Sequence, residues 1–187
     1  HPDLTFSVEK PTERTDYSFS GGEPQNAWTD LSFFKNNNLK PALNIEFKAG
    51  SGGLPVIKKD IEKLCKEPAL GGWCHIFEKA GPKRPQNKEG TIGTLFTKFA
   101  TAITKYFQPG FTHPISFHIL ILEKRTLLSR KGHPSDWDQF VKIYRQGDDD
   151  ISKSWLKKNI FNLQYSQWGD LPEDYHTTIN DWIIDKF

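Results

Sequence analysis

The chain of 187 residues contains no methionine and only two cysteines, Cys65 and Cys74. Since an initiator methionine is missing, we expect a fragment or a processed form of a longer chain. The cysteines do not have the spacing of a zinc ribbon, so reduced thiols in the core are expected. Because no apolar run is long enough to span a membrane and no signal peptide is recognisable, the sequence predicts a cytoplasmic protein without a membrane partner.

Several common catalytic motifs are also missing. The sequence has no P-loop, no G-x-G-x-x-G, no G-x-S-x-G and no H-E-x-x-H, and its six histidines are scattered. These absences argue against nucleotide-dependent, zinc-dependent and serine-hydrolase chemistry. The composition is that of an ordinary globular protein, 36% hydrophobic and 26% charged, with a net charge of +2. Such a small net charge permits a nucleic-acid partner only where basic residues cluster.

Residues 27–61 show the clearest structural pattern in the chain. Trp28–Phe34 and Ala42–Lys48 predict two strands, and the short Asn-rich loop between them predicts an antiparallel pair. In the second strand apolar and polar residues alternate, and the polar side chains that share one face are Asn44, Glu46 and Lys48. If the loop closes near its middle, Asp30 lies opposite Glu46.

Asp30, Glu46 and Lys48 together predict a site for a divalent cation. Two neighbouring carboxylates repel each other, and their burial costs free energy unless a cation lies between them. Carboxylate oxygens suit Mg²⁺ or Mn²⁺, and Lys48 could orient a water molecule or stabilise charge on a phosphate. Asp16 competes with Asp30 as the first carboxylate, or it simply pairs with Arg14.

The residues after Lys48 predict a crossover. A Gly-rich loop leads to a helix at Leu54–Cys65 and then to a strand at Gly72–Glu78, so the two strands should be parallel. Lys58 and Lys59 of this helix could reach a phosphate near the site, although a solvated helix face is the simpler interpretation. The same solvated surface is expected for the remaining charged residues of the helix, namely Asp60, Glu62 and Lys63.

This order of residues resembles the PD-(D/E)xK, or restriction-endonuclease-like, nuclease superfamily. In that superfamily an Asp on the second core strand and a D/E-x-K on the third strand bind the metal and carry catalysis, and a helix and a strand follow. Asp30, Glu46-Phe47-Lys48 and Leu54–Cys65 stand in this order, over about residues 13–78, with Thr29 where the family has proline. The resemblance implies a Mg²⁺-dependent (or Mn²⁺-dependent) deoxyribonuclease, with RNA as the second choice of substrate.

The resemblance also implies the roles of individual residues. Asp30, Glu46 and the backbone carbonyl of Phe47 would hold the metal, and Lys48 would act on the water or on the scissile phosphate. Asp16, like the two helix lysines, would be accessory. Many members act as dimers, so a homodimer is one expectation.

The predicted fold is an α/β domain over residues 1–187, with a mixed central sheet flanked by helices. Its core, about residues 13–78, would be restriction-endonuclease-like, (α)βββαβ, and residues 91–187 would add a helix–strand–helix extension. We expect the first core strand at Glu13–Phe19, after a short strand at Leu4–Val8. The later predictions are helices at Thr91–Phe107, from an N-cap at Ser135, at Ser154–Asn162 and from Pro172, and a strand at Ile115–Leu122.

Two basic loops are candidate contacts for nucleic-acid phosphates. They contain Lys79, Lys83, Arg84 and Lys88 in the first loop, and Lys124, Arg125, Arg130 and Lys131 in the second. The rival prediction is a binding module without catalysis, which would use the same loops for nucleic acid or protein and would need no metal. In a third interpretation the E-x-K strand is an ordinary polar strand face with weak ion pairs. His75 is expected to be a core histidine.

Overall fold

The computed structural model describes residues 3–17, 26–36, 38–50, 52–80, 90–107, 113–159, 177–179 and 182–187. Within these residues the chain forms one mixed eight-stranded sheet and four helices, which confirms the predicted α/β class. The elements in chain order are β1 (Leu4–Pro11), β2 (Trp28–Lys35), β3 (Leu43–Ala49), α1 (Leu54–Lys66), β4 (Leu70–Phe77), α2 (Gly90–Tyr106), β5 (Ile115–Ile121), β6 (Thr126–Gly132), α3 (Pro134–Arg145), α4 (Asp149–Asn159), β7 (Thr177–Ile179) and β8 (Trp182–Lys186). None of the helices in these ranges is long and apolar enough to cross a membrane.

The strand order across the sheet is β1-β2-β3-β4-β5-β6-β8-β7. Strands β1, β2 and β3 form an antiparallel meander, and β3, β4 and β5 run parallel through the connections that contain α1 and α2. The predicted crossover after Lys48 is therefore confirmed. Because parallel strands end at the same edge, the chain leaves β3, β4 and β5 at one edge of the sheet.

The core lies on one face of the sheet, beneath α1, α2 and α3. Strand β5 shows why: its side chains alternate strictly, so that Ile115, Phe117, Ile119 and Ile121 are buried while the residues between them are half-exposed. Helix α2 supplies the matching apolar stripe, which includes Leu95, Phe96, Phe99 and Ile103. The contacts between these stripes explain the position of α2 on the sheet.

The first strand differs from its prediction. The structure has a strand at Leu4–Pro11, longer than the expected Leu4–Val8, and none over the described residues of Glu13–Phe19. The backbone N–H groups of Glu13 and Arg14 donate instead to the carboxylate of Glu67, at 3.0 and 3.1 Å. A side chain at the end of α1 therefore satisfies the donors that a neighbouring strand would have satisfied.

The C-terminal prediction is also wrong where the structure describes it. Pro172 lies outside the described residues, but residues 177–179 and 182–186 are the strands β7 and β8 rather than a helix. Trp182 and Ile184 are buried and Ile183 is 43% exposed, which is the period of a strand. The segment forms a strand because β8 pairs with β6 and so extends the sheet beyond it.

The helices that precede β7 keep their predicted type with shifted starts. Helix α3 begins at Pro134 with His133 as the N-cap residue, so the predicted N-cap at Ser135 is wrong. Proline fits the first turn of a helix because its missing N–H would have no partner there. Helix α4 begins at Asp149, and the side chain of Asp148 accepts the N–H of Ile151 at 2.9 Å, as expected for an acidic helix start.

Candidate metal and phosphate site

The polar face of β3 is its buried face. Asn44 and Glu46 are 3% and 0% exposed, whereas Phe47 on the opposite face is 39% exposed. Helix α1 covers Glu46 with charged residues of its own, because Asp60 and Lys63 are buried beside it. The prediction of a solvated surface for Asp60, Glu62 and Lys63 is therefore wrong.

Lys63 and Lys48 neutralise the buried acids. The Lys63 ammonium forms an ion pair with Glu46 Oε2, lies 3.4 Å from Asp60 Oδ1 and donates to the Trp28 carbonyl at 2.8 Å. Lys48 Nζ lies 3.2 Å from Asp60 Oδ2, at ion-pair distance but without hydrogen-bond alignment. Two acidic and two basic side chains thus form one network in which each acid lies beside an ammonium group, as burial of such groups requires.

Asp30 lies at the point where β2 and β3 stop pairing. The ladder between the two strands joins Leu31 to Ile45 and ends there, so Asp30 and Glu46 occupy the next register position. Asp30 Oδ2 accepts a hydrogen bond from the backbone N–H of Phe47 at 2.7 Å, in place of a partner strand. The hairpin register predicted from the sequence therefore brings Asp30 close to Glu46.

Glu46 is held in an unusual electrostatic state. Burial raises the pKa of Glu46 to about 8, against the opposing effect of the Lys63 ammonium, and Asp60 and Asp30 raise it further. Its Oε2 contacts Lys63, but its buried Oε1 has no hydrogen-bond partner among the described residues. A buried carboxylate oxygen without a donor is rare in native proteins and is an open position for a cation.

The donor set around Glu46 fits a hard divalent cation. Within the described ranges, no group of three or more His, Cys, Asp or Glu side chains is placed to hold a metal ion. Mg²⁺, however, usually keeps several water molecules and uses one or two carboxylates together with substrate phosphate. The open Oε1 of Glu46 and the half-buried carboxylate of Asp30 are oxygen ligands of this kind.

Asp16, Lys58 and Lys59, the predicted accessory residues, are each at least partly exposed. Asp16 is exposed and pairs with Arg14 at 3.1 Å and with Lys66 at 3.7 Å. Lys58 is half-buried and Lys59 is exposed on α1. From the same helix, Asp60 contacts Lys48 and Lys63 contacts Glu46. A signal for Asp60 existed in the sequence, because it shares the helix face of the apolar residues Ile57, Ile61 and Leu64.

Three of the predicted basic residues, Lys79, Lys124 and Arg125, lie at the edge where the parallel strands end. Lys79 follows β4 and lies 3.7 Å from Glu123, which follows β5, and both side chains are exposed. Lys124 is half-buried and Arg125 is exposed in the same turn, whereas Lys83, Arg84 and Lys88 lie outside the described residues. Arg130 is buried and donates to the Asn159 carbonyl at 3.1 Å, so it is not a surface contact.

The arrangement offers the carboxylate oxygens of Asp30 and Glu46 as ligands that a cation would need, with Lys48 two residues beyond Glu46 and basic residues at the same edge of the sheet. Open edges of this kind, at the carboxyl ends of parallel strands, are common ligand sites in α/β proteins. No family model, no curated protein and no solved structure matches this chain.

Proposed function

We propose that this chain is a Mg²⁺-dependent nuclease that hydrolyses phosphodiester bonds in DNA, in preference to RNA. One observation carries the proposal: Asp30 and Glu46 occupy the register position just beyond the last pair of β2 and β3, and Lys48 stands two residues beyond Glu46. Carboxylates, a lysine and a divalent cation are the groups that phosphodiester hydrolysis needs.

The order of the elements supports a restriction-endonuclease-like core. An antiparallel meander of β1, β2 and β3 is followed by α1 and by β4, which is parallel to β3. This matches the βββαβ order that the resemblance implies, with Leu4–Pro11 in the place of the expected first strand at Glu13–Phe19. Fold likeness alone does not assign an activity, so the weight of the proposal stays on the site.

Each residue of the site has a proposed task. Asp30 and the open Oε1 of Glu46 would hold the metal ion with the Phe47 carbonyl, and Mg²⁺ when bound would stabilise charge on a phosphate and acidify a water molecule. Lys63 keeps the other oxygen of Glu46 neutralised. Lys48, whose side chain is 24% exposed, is held by Asp60 and would contact the water or the scissile phosphate.

The edge of the sheet suits an approach by nucleic acid. Lys79 and Arg125 are exposed beside the ends of β4 and β5, and Lys48 is at the end of β3. Basic side chains at such positions would bind the phosphate backbone and give an affinity that falls with salt.

The test is metal binding and cleavage measured on the same variants. Calorimetry with Mg²⁺ or Mn²⁺ and cleavage of double-stranded DNA should show activity in the parent chain. Asp30→Asn should lose metal binding and cleavage, and Lys48→Met should keep metal binding but lose cleavage. Glu62→Gln is the matched control, because Glu62 is a buried acid of α1 that pairs with Lys66 outside the site. Full cleavage by Asp30→Asn or by Lys48→Met would overturn the proposal.

The second candidate is a module that binds nucleic acid or protein without catalysis. It is favoured by the complete burial of Glu46 and by the compensation of its charge by Lys63, because such a network is stable without metal. Binding of DNA that is unchanged by a chelator and by Asp30→Asn, with no cleavage under any metal, would select this candidate.

A further inference from the structure

A cavity of about 210 Å³ lies where β3 and β4 end against α2. Its polar lining comes from Gly50 and Gly52 after β3, His75 of β4, and Thr91, Thr94 and Lys98 of α2, and the rest of the lining is apolar. Since a water molecule takes about 30 Å³ of liquid volume, the cavity has space for a group as large as a phosphate with some of its water.

His75 forms part of the cavity wall and has one ring nitrogen that no described residue contacts by a hydrogen bond. The side chain is 1% exposed, and its Nε2 lies 2.6 Å from the carbonyl oxygen of Gly50, to which it donates. Gly50 has a φ of +73°, a conformation that glycine adopts without strain and that carries its carbonyl to the ring. The buried Nδ1 has no partner in the described part of the chain, which is a costly state unless a ligand completes it.

The charges around the cavity favour an anion. Lys98 Nζ donates to the Gly52 carbonyl at 3.0 Å, and none of the described lining residues is acidic. Burial lowers the pKa of His75; the hydrogen bond to Gly50 opposes this effect, and the charges of Lys98 and Lys48 lower the pKa further. The imidazole therefore gives up its proton more readily than an ordinary histidine, in a cavity with cationic surroundings, and the first turns of α2 add the positive end of a helix dipole.

We propose that this cavity is a phosphate-binding subsite that receives a phosphate group of the nucleic-acid substrate. The inference rests on the proposed function for the source of the phosphate, not for the chemistry of the cavity. Lys98 and the threonine hydroxyls would donate to the phosphate oxygens, as would Nδ1 of His75 after it takes up a proton. The groups that face His75 are Lys48 from β3, Lys98 from α2, the Gly50 carbonyl, and the rings of Trp73 and Phe77 on its own strand.

The position of the cavity connects it to the metal site. In the register of β3 and β4, Lys48 lies beside His75, and Glu46 lies beside Trp73. Lys48 therefore stands between the carboxylates and the cavity along the same sheet face. A strand of nucleic acid with one phosphate at Lys48 could place a neighbouring phosphate in the cavity.

The first experiment titrates inorganic phosphate into the full chain without metal, by calorimetry and by ¹⁵N NMR of the imidazole groups. Lys98→Met should weaken phosphate binding by about tenfold or more, since it removes a charged donor. Lys105→Met is the control, because it removes the same charge from the last turn of the same helix.

The Nδ1 signal of His75 should shift on binding. His75→Gln, which can still donate to Gly50, should also weaken binding, more at pH 6 than at pH 8. Absence of saturable binding, or equal weakening by both lysine variants, would overturn the inference.

The second experiment identifies the source of the phosphate and separates the two proposals. Oligonucleotides of one sequence, with and without a 5′-phosphate, are compared on the parent chain and on Lys98→Met. A preference for the 5′-phosphate that disappears in Lys98→Met assigns the cavity to a terminal phosphate, and an equal loss for both assigns it to a backbone phosphate. Lys98-dependent phosphate binding without any cleavage would keep the subsite and reject the nuclease. Cleavage of DNA together with phosphate binding that does not depend on Lys98 would keep the nuclease and reject the subsite.

Discussion

The helix-covered face of the sheet has two regions that are equally buried and chemically opposite. Beneath α1 the contacts include those of the charged residues Glu46, Asp60 and Lys63, each less than 5% exposed, which lie beside the buried apolar residues of the same helix. Beneath α2 and α3 they are made by aromatic rings, and the Phe99 ring lies 4.1 Å from Phe117 and 5.7 Å from Trp137 between centroids. The register of the strands places both regions on one continuous face.

The comparison separates residues that stabilise the fold from residues that call for another explanation. Burial of an aromatic side chain gains free energy from removal of apolar area from water and from ring contacts. A buried ion network gains little, because desolvation offsets the attraction, and apolar residues of similar volume are often as stable or more so. Stability therefore does not explain the charged region, and strongly perturbed carboxylates such as Glu46 are typical of functional sites.

The largest expected effect comes from removal of one charge from the network. Lys63→Met leaves Glu46 and Asp60 buried without their shared ammonium, so the free energy of unfolding should fall by about 3–5 kcal/mol at pH 9. At pH 6 the loss should be smaller, because Glu46 can then take up a proton. The double variant Glu46→Gln/Lys63→Met should regain much of the stability. Urea denaturation of the parent, the single variant and the double variant measures these free energies of unfolding. A loss below about 1 kcal/mol for Lys63→Met would mean that water solvates the charges of the network.

A smaller effect is expected in the aromatic region, where tight packing rather than charge is decisive. A Cβ atom on Gly132 would lie 2.7 Å from the Ile115 carbonyl oxygen and 2.9 Å from atoms of Phe117 and Trp137. Gly132→Ala should therefore destabilise the protein by about 1–3 kcal/mol, with no dependence on pH. Gly53→Ala is the control, because among the described residues its Cβ would meet Pro55 alone, at the ordinary distance of 3.6 Å. Equal midpoints of thermal unfolding for the two variants would contradict the prediction. They would show that the aromatic core rearranges at little cost to accept the added Cβ atom.

The pattern of the sequence determined the local structure of the charged region but not its environment. Alternation in β3 and a short loop placed Asp30 opposite Glu46, because a shift by one residue would turn every side chain to the other face. Which face is buried depends on where α1 packs, and that is a long-range contact. The apolar face of β3 was as good a candidate for burial, yet Phe47 on that face is 39% exposed.

The same reasoning explains the missed residues at both ends of the chain. The positions of Trp182 and Ile183 are compatible with the apolar stripe of a helix as well as with a strand. The segment forms a strand because it pairs with the edge of β6, which is a long-range contact. Glu67 replaced a neighbouring strand for Glu13 and Arg14, and no local pattern indicates a partner more than fifty residues away. For the site, Asp60 and Lys63 were missed because charged helix residues are usually solvated.

The smallest and sharpest effect is the dependence of stability on pH. The folded-state pKa of Glu46, about 8, is above its ordinary value of 4.5, so the folded chain holds this proton more tightly than the unfolded chain. The contribution to stability is therefore complete below pH 4.5 and is lost as the pH rises through 8. Between pH 5 and pH 9 the parent should lose at least about 1 kcal/mol, the equivalent of one pKa unit, relative to Glu46→Gln.

Denaturation of the parent and Glu46→Gln over this range measures the difference, and Glu62→Gln is the control for a buried acid of α1 outside the site. Divalent metal should reverse the trend, because a cation at Glu46 replaces the proton and stabilises the ionised form. With Mg²⁺ present, the parent should therefore lose less stability toward pH 9, and Glu46→Gln should not respond. If the free energy of unfolding of the parent and of Glu46→Gln changed with pH in the same way, the raised pKa of Glu46 would be contradicted. The charged region would then consist of ordinary structural ion pairs.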